Sequence, residues 1–235
     1  MQIEHKSFEH ALRFQSWAAA LERFLAMAKS LCCTQEIRVA FLELVALTLG
    51  TLFVPAALML DLLVFKNGVS ELSVTELSQE ALVLSSAIVF GIKAHRHAED
   101  RGLLTLMSGF FACLFVRELD CFFDLIVYHG FWVWLVFAIA VVSVGYTLSS
   151  QAPFWTPLRH YIGTRSQLLV AVGLLVVIGL SRVMGSGHLI WRHVFSSDMA
   201  ALLKNSLQEA LELFGYLLVF FGACIFRHSP STARE

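Results

Sequence analysis

The chain has 235 residues, 57% of them hydrophobic and 15% charged, with a net charge of -1 and a mean hydropathy of +0.71. Soluble domains carry about 25% charged residues, and a core of this size cannot hide so much apolar surface, so lipid must be the solvent. The balanced charge excludes an electrostatic case for nucleic acid or for a strongly acidic partner.

The segment before Ile37 is too polar for a secretory signal, because Arg13, Glu22, Arg23 and Lys29 interrupt any apolar run. Phe14, Trp17, Leu21, Phe24, Leu25, Ala28 and Leu31 fall on one side of a helix, with Glu9, Gln15, Glu22, Arg23 and Lys29 elsewhere on the wheel. Residues 1–36 are therefore expected to form a cytoplasmic amphipathic helix, lying on the bilayer or packed under a partner subunit. The five cysteines show no CxxC spacing. Cys113, Cys121 and Cys224 read as small buried hydrophobes, and Cys32 and Cys33, just ahead of the first span, as free thiols.

From Ile37 onward six segments reach the roughly 20 apolar residues a bilayer crossing needs. They run near Arg38 to Phe65, Val74 to Gly91, Gly102 to Tyr128, Phe131 to Leu148, Ser166 to Val183 and Met199 to Phe226. Pro55 is expected to bend the first. The fold class is thus an all-α integral membrane protein: a six-helix transmembrane domain over residues 37–227, preceded by the amphipathic helix and followed by a cytoplasmic tail, residues 228–235.

Lysine and arginine set the orientation. With the N-terminus inside, the inner regions hold Lys6, Arg13, Arg23, Lys29, Arg38, Lys93, Arg96, Arg101, Arg159, Arg165, Arg227 and Arg234, and the outer loops only Lys66 and Arg192. Both termini are then cytoplasmic, in a bacterial inner membrane or a plasma membrane.

The remaining charges acquire a depth. At 1.5 Å per residue, Glu80, Arg117, Arg182 and Glu212 all lie roughly 20 Å from the cytoplasmic ends of their helices, in the outer half of the bilayer. On the third helix, Arg117, Asp120, Cys121, Asp124 and Tyr128 share a face, and Glu118 projects about 100° away. On the sixth, Asp198, Asn205, Gln208, Glu209, Glu212 and Tyr216 form a second polar stripe. Two such stripes in lipid should face each other or a shared aqueous pocket.

The candidate ligand or ion cluster is therefore Glu80, Arg117, Glu118, Asp120, Asp124, Arg182, Glu209 and Glu212. Acids outnumber arginines, so a cation or a proton must balance the excess. A divalent metal ion is the one cofactor that the residues suggest, through His129, His188 and His193 near the outer boundary. The spacing of His188 and His193 is not that of helix-borne zinc ligands, and His95 and His97, beside Glu99 and Asp100, read as an exposed polar turn. No Walker loop, G-x-G-x-x-G, H-E-x-x-H or G-x-S-x-G occurs, so nucleotide and common hydrolase chemistry lack support.

These features lead to a polytopic protein whose acid-rich cluster binds a cation, a proton or a lipid headgroup, in transport, permeation or sensing. Glu118, Glu209 and Glu212 would take the cation or proton, while Arg117 and Arg182 would meet the acids or an anionic headgroup. Two other readings use the same residues: an intramembrane metal-dependent lipid hydrolase, and a structural or assembly subunit whose charges only lock the bundle. The partners expected are the lipid bilayer and a membrane partner subunit or further copies of the chain, with no nucleic acid.

Overall fold

A backbone surrounded by hydrocarbon has no water to bond, so its peptide groups must be satisfied within helices or a closed barrel. The computed structural model takes the helical route: it describes residues 22–23, 35–65, 73–149, 154–186, 191 and 197–227, and among the described residues there is no strand. Among the described residues, five helices are long and apolar enough to cross a membrane, or six if one bent pair counts as a single span. Most of the expected amphipathic segment, Cys32, Cys33, His188, His193 and the tail lie outside the described residues.

Helix α1 (Gln35–Met59) continues into a π-helical stretch, Leu60–Phe65, and runs through Pro55 without ending there. Backbone contacts divide the chain within this helix, into Met1–Leu49 and Gly50–Glu235. In the first unit the described helical residues leave Phe41, Leu44 and Leu49 exposed, an apolar surface of the kind lipid covers. In the second, Val54 and Ala57 pack with Leu213.

The other helices of the second unit are α2 (Val74–Arg96), α3 (Arg101–Glu118), α4 (Asp120–Ile126), α5 (Phe131–Ser149), α6 (Trp155–Tyr161), α7 (Arg165–Met184, with a π turn at Val176–Leu180) and α8 (Ser197–Ile225). The neighbours run in the order α5, α3, α2, α8, α7. The short α6 was not foreseen; its Pro157 sits in the first turn, where no intrahelical amide bond is lost.

Both ends of α2 are tied by charges. At its start, the fully buried Asp61 carboxylate accepts bonds from the Val74 amide (2.8 Å), the Thr75 amide (2.9 Å) and the Thr75 hydroxyl (2.6 Å). Ser73 caps the same turn by accepting from the Glu76 amide. An acid at a helix N-terminus satisfies orphan amides and meets the positive end of the dipole. Near the other end of α2, Lys93 Nζ donates to the carbonyls of Ala223 (2.7 Å), Cys224 (2.9 Å) and Phe226 (2.9 Å), closing the C-terminus of α8 with a cation. Those contacts make α2 and α8 parallel.

Helices α7 and α8 are antiparallel and touch backbone to backbone. A Cβ on Gly173 would stand 2.6 Å from the Gly215 carbonyl oxygen, and one on Gly222 3.0 Å from that of Ser166. Ser166 Oγ donates to the Gly222 carbonyl across the same seam at 2.7 Å. Small residues permit this approach where packing, rather than hydrophobic exclusion, holds helices together.

The unbroken third span expected from Gly102 to Tyr128 is corrected. Leu119 adopts φ -85° and ψ 14°, in the bridge region outside the α-helical basin, and α4 leaves α3 at 57°. A straight continuation would carry Asp120 onward along the axis of α3; with the bend, Asp120, Cys121 and Phe122 are exposed.

Replacing Asp61 with Ala orphans the Val74 and Thr75 amides and is expected to cost about 2–3 kcal/mol in detergent unfolding. Gly215→Val should also lower the melting temperature, by overpacking worth about 1–3 kcal/mol. Melting points within a degree of the parent would contradict the tie or the seam, respectively.

Candidate functional site: a charged layer on four helices

The middle of α8 carries Gln208, Glu209, Glu212 and Tyr216, at spacings that group them along one side of the helix. Three of them meet three different neighbours. Glu209 accepts from Gln79 Nε2 on α2, through its carboxylate (2.9 Å) and its backbone carbonyl (3.0 Å). The Glu212 carboxylate lies 3.5 Å from the Arg182 guanidinium on α7 and accepts from Gln208 Nε2 at 3.2 Å. Tyr216 donates its hydroxyl proton to Glu118 on α3, which also holds the guanidinium of Arg117. Gln79, Glu212, Tyr216 and Ser181 are all buried.

Ser181 stands between two acceptors. Its Oγ donates to the Val177 carbonyl at 2.5 Å and also lies 3.2 Å from Glu212 Oε1. A hydroxyl has one proton to give. That one proton serves either the Val177 carbonyl or Glu212 Oε1, the oxygen that also accepts from Gln208 Nε2.

Exposure varies across the layer, with the Arg117 side chain 34% exposed beside Glu118. Tyr216 is wholly buried, whereas the Arg182 side chain is 49% exposed beside a Glu212 side chain that is 5% exposed. Arg182 therefore stands at the edge of the layer with Glu212 behind it.

Of the residues expected to cluster, Arg117, Glu118, Arg182, Glu209 and Glu212 are brought together. Glu80 is half-buried and close enough to Glu118 to interact with it as a like charge. Asp120 and Asp124 do not join. Asp120 is exposed beyond the bend, and Asp124 turns to His129 Nδ1 (2.5 Å) and the Gly130 amide (3.0 Å). Glu118, expected to project away from the shared face, is instead the group that reaches α8. The wheel gave the angle between Arg117 and Glu118 but not the side on which α8 stands, and the long Arg117 side chain swings across to its neighbour.

The expected polar stripe of α8 is present at Gln208, Glu209, Glu212 and Tyr216, while Asn205 is exposed. Ser181 was missed, although a hydroxyl beside Arg182 in an apolar helix was the available signal. Cys113 is half-buried and directs its thiol to the Val136 carbonyl, whereas Cys121 and Cys224 are exposed, correcting their reading as buried. His95, in the last turn of α2, and Glu99, in the turn before α3, are exposed as expected, but His97 is half-buried and Asp100 buried.

Among the described residues no group of three His, Cys, Asp or Glu side chains is placed to hold a metal ion. His129, the described member of the expected triad, has a 94% exposed side chain and pairs with Asp124.

Comparison with protein-family models, curated protein sequences and solved structures yielded no match. Function is therefore read from the layer itself.

A double-mutant cycle of Glu118→Gln and Tyr216→Phe tests the α3–α8 bond. The coupling expected for such a bond within a membrane bundle is about 0.6–1.7 kcal/mol; additive effects would show that the two side chains do not act on each other.

Proposed function

We propose that the chain is a six-span membrane protein, of a bacterial inner membrane or a plasma membrane with both termini cytoplasmic, whose charged layer accepts a proton or a small cation in a transport, permeation or sensing role. The observation that carries this reading is a charge imbalance: Glu118, Glu209 and Glu212 share the layer with two guanidiniums, Arg117 and Arg182. Glu209 is met by the neutral amide of Gln79. An uncompensated carboxylate among apolar helices is costly, and a proton or a cation removes the excess. Arg182, at the exposed edge, is the group a charge would pass on its way in.

A second reading has an observation of its own. The bonds of Gln79 to Glu209, Tyr216 to Glu118 and Arg182 to Glu212 each join two helices, which is what an interhelical lock requires. The two readings separate on Glu209, whose replacement by Gln keeps the shape and removes the excess acid.

In reconstituted liposomes, infrared spectra of the parent should show a protonated carboxyl band at neutral pH that shrinks in Glu209→Gln or Glu212→Gln, together with a pH-dependent flux or conformational signal lost in the same variants. Spectra and pH response unchanged in two well-folded variants would leave only the lock.

A further inference from the structure

Away from the charged layer, α2, α3 and α5 enclose a groove of about 410 Å³, open on one side, whose lining includes His95, Arg101, Thr105, Ser108, Ser143 and Tyr146. We propose that this groove binds the phosphate group of an anionic lipid headgroup.

Position is the first ground. His95 lies one residue before the end of α2, Arg101 is the first residue of α3, and Tyr146 lies three residues before the end of α5. Helices α2 and α5 are each long and apolar enough to cross a bilayer, so residues at their ends stand at the headgroup level, where lipid phosphates lie. The groove then descends from that level toward the acyl chains. Thr105 and Ser108 follow Arg101 on α3 at i+4 and i+7, one stripe leading inward.

Charge is the second. Arg101 Nε donates to the Ala94 carbonyl at 3.2 Å, which ties the guanidinium to the end of α2 beside the groove. A guanidinium offers five N–H donors in a fork that matches phosphate oxygens. Neither Glu99 nor Asp100 lines the groove. His95, exposed at the same rim, supplies a further nitrogen. The small side chains of Gly91, Ala94 and Ser143 keep room below the charge. The volume falls within the range of about 300–1,000 Å³ typical of small-molecule sites.

The same chemistry would also hold a free phosphate, and the test separates the two sources. Full-length protein in micelles would be titrated with phosphatidylglycerol, phosphatidylcholine and inorganic phosphate, and bound molecules counted by native mass spectrometry. Phosphatidylglycerol should bind about tenfold tighter than phosphatidylcholine, and Arg101→Gln should remove that preference. Thr105→Phe, which fills the groove and keeps the arginine, should do the same. Arg159→Gln, an exposed cation outside the groove, should leave the preference intact.

Displacement of the lipid by millimolar inorganic phosphate, with phosphate bound on its own, would overturn the lipid assignment in favour of a free anion. Equal binding of the two lipids, a preference that survives both groove variants with unchanged melting points, or an equal loss in Arg159→Gln would overturn the site itself.

Discussion

An ionisable side chain among apolar helices must find a partner, and the arrangement of the second unit follows from where α8 supplies those partners. Glu209, Glu212 and Tyr216 are spaced by three and four residues, so they emerge on one side of α8 but at different heights and angles. Each reaches a different helix: α2 through Gln79, α7 through Arg182 and α3 through Glu118. The apolar residues around them set how closely the helices approach. The polar bonds decide the register at which they stop.

That register depends on features remote from the layer. The α7–α8 seam brings Gly173 against Gly215, and Ser181 and Arg182 lie about two turns further along α7, where Glu212 is within reach. A larger residue in the seam would push α7 outward and move Arg182 with it. Asp61 and Lys93 act on α2 in a complementary way: one holds its first turn from the end of α1, and the other ties its last turns to the C-terminus of α8. Between these fixed points, Gln79 has little choice but to meet Glu209.

The layer and the groove make different demands on a ligand. In the layer, negative groups exceed positive ones and the most buried carboxyl sits behind a half-exposed arginine, which suits a small cation or a proton. In the groove, an arginine and a histidine stand over hydroxyls and small residues at a helix-end level, which suits a phosphate. Helices α2 and α3 contribute residues to both. The bend at Leu119 confines the layer to the end of α3 and leaves Asp124 to pair with His129.

Composition and periodicity alone determined that the protein is helical and membrane-grade, and they located the long apolar helices to within a few residues except at the third. They also led to the expectation that charges on separate helices share a level, because depth along a straight helix is a matter of counting residues. Which charge meets which was decided by tertiary structure. A wheel gives angles within one helix but not the direction of its neighbours, so it turned Glu118 away and kept Asp120 and Asp124 with Arg117. The break at Leu119 has no proline or glycine to announce it. The role of Asp61 as the cap of α2 has no local sequence signal and emerged only once the chain had doubled back to bring Val74 and Thr75 to it. The groove over Arg101 likewise needs three helix ends in one place, a juxtaposition that no local pattern encodes.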